Sequence, residues 1–213
     1  MKKHLRELLD TERIEEIADI AGRQRRVLGS LVSLTFDPDP LIVWRAVEAM
    51  GAAAARIADD DPEYVREHLR RLRWLISDES GGICWHAPEA MAEIIRRRPR
   101  LFSDHIPIVV YLLRVMEEED LVRFRAGILW AIGRLGDLAA SEVEAVLPSI
   151  AACLDDSDPQ VRGMAVWCLA QSRRTELLQT RSDLLSDEGT VALYLDGHLL
   201  RRNVAELARQ AWV

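Results

Sequence analysis

The stretch Asp158-Pro159-Gln160-Val161-Arg162-Gly163-Met164-Ala165-Val166-Trp167-Cys168-Leu169-Ala170 opens on a turn and continues as a helical run of apolar residues. The same pattern occurs three more times. It reads Asp37-Pro38-Asp39-Pro40-Leu41-Ile42-Val43-Trp44-Arg45-Ala46-Val47-Glu48-Ala49-Met50 at the first site. The second copy, 41 residues on, is Asp78-Glu79-Ser80-Gly81-Gly82-Ile83-Cys84-Trp85-His86-Ala87-Pro88-Glu89-Ala90-Met91. A third, Val122-Arg123-Phe124-Arg125-Ala126-Gly127-Ile128-Leu129-Trp130-Ala131, lies 39 residues before Val161-Arg162. Self-similarity at a period near 40 residues, with helical spacing inside each copy, is the mark of a helical repeat array.

Between the copies lie second helical patterns, near 22–35, 61–76, 103–116, 141–154 and 175–185. In them apolar residues such as Leu69, Leu72 and Ile76 recur three to four positions apart. An additional helix is expected over 3–19, and Ser141 with Glu144 reads as a capping box. The predicted unit is a helical hairpin stacked about four times over 1–186. The period then breaks. Thr190-Val191-Ala192-Leu193-Tyr194-Leu195 and the run from His198 flank Asp196-Gly197, a two-residue hairpin turn. Asn203 and Glu206 then start a short helix. Residues 187–213 are therefore expected to be a β-hairpin and helix that cap the array, with strand pairing to a second copy as the competing use.

Asp-Pro-x-Val-Arg followed by Ala and Leu, best kept in Asp158–Ala170, resembles the second helix of a HEAT-like repeat. It is most similar to the short bacterial kind also found in phycobilin-lyase-type proteins. The resemblance covers 22–186 and is looser in the first two copies, where Val43 and Cys84 stand in place of the arginine. It implies an all-α, right-handed α-solenoid in which Asp158 and Arg162 stabilise neighbouring repeats. HEAT-like di-iron hydroxylases use His-Glu steps, and no His-Glu dipeptide occurs in this chain. Attachment of a bilin chromophore has no support here beyond the repeat itself.

The chain has 213 residues, 28 Lys and Arg against 35 Asp and Glu, and a formal charge of −7. That charge disfavours nucleic acid and anionic membranes as general partners. The arginine runs 66, 70, 71, 73 and 96, 97, 98, 100 read first as solvated helix faces. No apolar run is long enough to span a membrane, and the first residues do not form a secretory signal. Three widely spaced cysteines fit a reducing compartment and argue against a disulfide framework or a structural zinc site. A cytoplasmic protein without cofactor or metal is the expectation.

Helical projection places Trp44, with Arg45 and Glu48, opposite the centre of the apolar arc of its copy. Trp85, His86 and Glu89 take the corresponding side in the second copy, Phe124 in the third and Trp167 in the fourth. The expected ladder is a concave partner-binding face: Trp44, Trp85 and Trp167 as anchors, with Arg45, Glu48, His86, Glu89 and Arg125 setting orientation. The alternative is that this face packs within the array. Ser80, Gly81 and Gly82 form a candidate ligand loop, and Pro88 is expected to kink the following helix or delay its start. Two further classes stay open. One is an enzyme or small-molecule binder centred on 80–89, with Cys84 and His86 as nucleophile and base. The other is a nucleic-acid binder using Trp44, Trp85, Arg45 and Arg125. The leading expectation is a non-catalytic scaffold for a protein partner.

Overall fold

The computed structural model describes residues 1–76, 84–118 and 122–212. Most of them are helical. The first helices are α1 (Lys2–Asp10), α2 (Ile14–Arg23), α3 (Val27–Leu34), α4 (Pro40–Ala58), α5 (Pro62–Trp74), α6 (Ala87–Arg97) and α7 (Pro99–Phe102). They are followed by α8 (Ile106–Glu118), α9 (Arg125–Leu135), α10 (Ala140–Val143), α11 (Leu147–Ala152) and α12 (Pro159–Gln171). A single hairpin, β1 (Thr190–Leu195) and β2 (His198–Asn203), precedes the last helix, α13 (Val204–Ala211). The chain divides into two compact units. One is Met1–Asp104 with the hairpin tip Asp196–His198; the other is His105–Leu195 with Leu199–Val213. Among the described residues no helix is long and apolar enough to cross a membrane.

Asp-Pro pairs set the helix starts. Asp39, Asp61 and Asp158 each accept a hydrogen bond from a backbone N–H of the first turn, at 2.9, 3.1 and 2.9 Å. Each is followed by proline at the start of the helix, where a missing N–H costs nothing and the fixed φ suits the first turn. In the first unit α4 is the central helix: α2 and α3 pack on it, and so does α6. Ile42, Ala46, Val47, Ala49, Met50 and Ala53 are all buried there. In the second unit α9 packs on α12, while α13 and β1 cover another side of α12.

Several expected elements differ. The helix over 3–19 is two helices, broken at Thr11–Arg13, where Glu12 takes φ 59°. The break is held by Arg45, whose guanidinium donates to the carbonyls of Leu9 and Asp10 at 2.9 Å each, past the last turn of α1. The pattern over 141–154 is split between α10, α11 and 3₁₀ turns, because Pro148 cannot supply the N–H a continuous helix needs. The Ser141–Glu144 capping box does not form: Ser141 Oγ instead lies 2.6 Å from Glu142 Oε2. The 175–185 pattern yields only 3₁₀ turns.

The C-terminal reading holds. Asp196 and Gly197 have φ of 42° and 85°, as a turn with two left-handed residues requires. A Cβ at Gly197 would meet Glu12 Oε1, the end of a flexible side chain, at 2.1 Å, and the left-handed φ favours glycine there. Asn203 and Glu206 form a complete capping box. Pro88 lies in the first turn of α6, so that helix does start late, at Ala87.

Candidate interaction surface

Three segments of the first unit meet at Cys84. Its backbone N–H donates to the carbonyl of Leu75 at 3.0 Å, just past the end of α5. Its Sγ lies 3.7 Å from Thr35 Oγ1, just past the end of α3. The chain then runs through Trp85 and His86 into α6. Each segment carries a large exposed aromatic within one residue of this junction: Phe36 is 55% exposed, Trp74 59% and Trp85 40%. Neighbouring Cα atoms are about 3.8 Å apart, so the backbone positions of these three exposed aromatics lie around one residue. Large apolar side chains brought together at a surface are what interaction sites use.

Behind them lies a polar pair. His86 Nδ1 is 3.0 Å from Glu89 Oε1, and the imidazole meets the Trp44 ring edge-on at a centroid distance of 5.2 Å. Burial pulls the His86 pKa down, but the charge of Glu89 and its hydrogen bond outweigh this and leave it raised. Glu89 is buried, and its Oε2 has no hydrogen-bond partner among the described residues. The pair fixes the imidazole, and the imidazole positions Trp44.

The remaining first-unit candidates point inward. Arg45 is buried; besides α1 it binds Glu12 Oε2 at 2.9 Å and the Gly197 carbonyl at 3.1 Å. Glu48 accepts from the Gly197 N–H at 3.0 Å. The two side chains clasp the hairpin-tip glycine by its N–H and its carbonyl, so neither faces a partner. That corrects their assignment to an exposed groove: in projection they flank Trp44, but neighbours distant in sequence cover them. Ser80, Gly81 and Gly82 lie outside the described residues.

Residues 122–171 match the HEAT-like repeat family. The chain carries a HEAT-like repeat. A protein of Archaeoglobus fulgidus, described only as uncharacterized, is 32% identical over 108 residues, which are 51% of this chain and 53% of that protein. The chain thus spans about half the length of the curated relative it matches. A crystal structure of an archaeal HEAT-like repeats protein from Thermococcus onnurineus NA1 aligns over 99% of this chain and 98% of that one, at 16% identity and a TM-score of 0.37.

The HEAT-like repeat at 122–171 uses its aromatics as core. Phe124 is buried, and Trp167 is 7% exposed, its ring stacked on Trp130 at 6.3 Å. A Cβ on Gly133 would come within 2.5 Å of Trp167 Cζ3, so the indole occupies the hollow that glycine leaves. Trp130 Nε1 donates to the Tyr194 carbonyl at 3.0 Å. Trp167 is therefore a helix-packing residue and not a surface anchor. Arg125 is also engaged within its unit, donating to Asp156 at 2.9 Å. Asp158 and Arg162 are structural: Asp158 caps α12, and Arg162 grips both oxygens of Asp187 at 2.7 and 3.0 Å, holding that carboxyl below its ordinary range.

Cys84 and Cys168 are poor nucleophiles. Burial pushes the Cys84 thiol up, more than its Thr35 contact lowers it. Burial drives Cys168 to about 12. Both shifts suppress the thiolate that attack would require. Sequence reading missed Phe36 and Trp74. A signal existed for Trp74, a tryptophan on the arginine-bearing face of α5, turned away from Val65, Leu69 and Leu72. Nothing marked Phe36, which follows the end of α3 and is exposed only through its tertiary surroundings.

Proposed function

We propose that this chain is a non-catalytic interaction module that binds a protein partner through the aromatic corner at Trp85, Trp74 and Phe36, with Trp44 and His86 behind it. The single observation that carries this reading is the convergence of three exposed aromatics at Cys84. Burying one large aromatic against a partner contributes about 1.5–3 kcal/mol, and a few such anchors dominate most interfaces. The HEAT-like repeat supports the reading as a scaffold, since its own aromatics serve helix packing.

The test is photo-crosslinking in the native host from a probe residue placed at position 85, with a second probe at exposed position 176 as control. One protein captured from position 85 and lost on Trp74→Ala supports the module. Identical capture from both positions, or none from position 85, overturns it. Purified Trp74→Ala keeps the parent circular dichroism spectrum and melting temperature, because its ring contributes little to the core.

A further inference from the structure

We infer that the first unit holds a second site, a cleft across α4 that takes a small zwitterion: an ammonium and a carboxylate joined by a short aliphatic chain. It shares no residue with the aromatic corner and does not rest on it.

The cleft has a volume of about 150 Å³ and is lined by α2, α4 and α6 with the residues just past the ends of the last two. α4 packs on both other helices. Ala18, Ala52 and Ala55 line it and are too short to fill the space between the longer charged side chains around them. Charge is divided between the two walls. α2 contributes Glu15 and Asp19, four residues apart and so on one face. The α6 wall contributes Arg97 and Arg98, while Arg56 and Asp59 come from the end of α4.

These groups are engaged to different degrees. Arg98 donates to Asp59 at 2.6 Å, and Arg56 stands 3.7 Å from the same carboxyl, so these three answer one another. Glu15 and Asp19 are exposed, and among the described residues neither has a hydrogen-bond or ion-pair partner. Arg97 is only half engaged. Its Nη2 stands 3.7 Å from Glu48 Oε1, beyond hydrogen-bond reach, and its Nε is buried with no hydrogen-bond partner among the described residues. Glu48 already accepts from the Gly197 N–H. The unmet charge is therefore negative on the α2 wall and positive on the α6 wall.

A simple anion would meet Arg97 but face Glu15 and Asp19, and a simple cation would meet the carboxylates but face Arg97. A molecule with both charges satisfies both walls. Guanidinium takes a carboxylate through parallel N–H groups, and an ammonium has three donors to share between two carboxylates. Packed helix axes are about 8–10 Å apart, and the walls belong to helices that each pack on α4. The two charges therefore belong at opposite ends of a chain, as in an ω-amino acid, and not on one carbon. At roughly 30 Å³ per water the volume corresponds to about five waters, which suits a short aliphatic amino acid and excludes a nucleotide.

The experiment is a two-dimensional amide NMR titration of the full chain at low salt, where exposed charge is least screened. The probes are γ-aminobutyrate, butyrate and butylammonium. We expect γ-aminobutyrate to bind at least about tenfold more tightly than either singly charged analogue, with its shifts grouped on α2, the end of α4 and the end of α6. Arg97→Met should lower its affinity towards that of butylammonium, and Glu15→Gln with Asp19→Asn towards that of butyrate. Ala55→Leu fills the cleft without changing a charge and should abolish binding of all three probes, which decides the matter should Arg97→Met disturb Glu48 and fold poorly. Equal affinity for the three probes, binding that survives Ala55→Leu or both charge variants, or no γ-aminobutyrate binding through the millimolar range would overturn the assignment. None of these outcomes bears on capture from position 85, so the cleft and the aromatic corner fail separately.

Discussion

The α4–α6 seam of the first unit and the α9–α12 seam of the second are built on the same device and filled in opposite ways. Each has a glycine at the close approach. Gly51 would put a Cβ 2.8 Å from the Glu93 carbonyl oxygen, and Gly133 would put one 2.5 Å from Trp167. In the second seam the interior is aromatic, with Trp130 and Trp167 stacked and buried. In the first the interior holds charge: Glu48, Glu89 and Glu93 are buried, while Trp85 stands at the surface. A repeat register therefore conserves where helices approach and leaves open which residue types fill the seam. The first unit keeps Phe102 in its core but turns Phe36, Trp74 and Trp85 outward.

Four experiments would break or sharpen this contrast, and the largest effect belongs to the aromatic seam. Trp167→Ala should destabilise the chain by about 3–5 kcal/mol, because a packed indole leaves a cavity that stacked Trp130 cannot fill. Urea unfolding followed by circular dichroism measures it. A loss below about 1 kcal/mol would mean that the second seam is no more aromatic in its energetics than the first.

The next effect reports the polar character of the first unit. His68 on α5 is buried, its Nε2 has no partner among the described residues, and burial with the nearby Arg71 lowers its pKa to about 4. A His depressed in the folded state is neutral there while the unfolded chain protonates near 6.5. Its contribution is thus complete above about pH 6.5 and is lost as pH falls towards 4, by about 3 kcal/mol in all. His68→Leu should flatten that part of the stability–pH curve, read from urea midpoints at successive pH values. His86 runs the other way. Its pKa is raised, so its contribution is present below about 6.5 and fades as pH rises through the higher folded value.

The glycines give a subtler discrimination. Gly133→Ala and Gly51→Ala should each cost about 1–3 kcal/mol by overpacking. Shortening Trp167 to Leu should relieve most of the Gly133→Ala cost, since a side chain is what obstructs it. No substitution at Glu93 should relieve Gly51→Ala, since there a backbone carbonyl is in the way. A double-mutant cycle reads the difference, and equal rescue in both seams would erase it. The smallest effect is Trp85→Ala, expected within about 0.5 kcal/mol of the parent. A cost near that of Trp167→Ala would return Trp85 to the core and remove the corner.

Much of the fold was legible because its signals are local. The Asp-Pro starts of α4, α5 and α12, the Asp196-Gly197 turn and the Asn203–Glu206 box each involve residues within four positions of one another. The sequence therefore determined the repeat, the helix starts and the hairpin with its closing helix. The errors also have local causes that a periodic pattern hides: Pro148 interrupts one expected helix, and the left-handed Glu12 divides another. Only the tertiary structure decided which side of each repeat is buried. Arg45 and Glu48 close on Gly197, some 150 positions away, and Trp167 is buried because Gly133 makes room for it. Helical projection assigns residues to a face, but burial depends on what lies opposite that face, and that neighbour comes from a distant part of the chain.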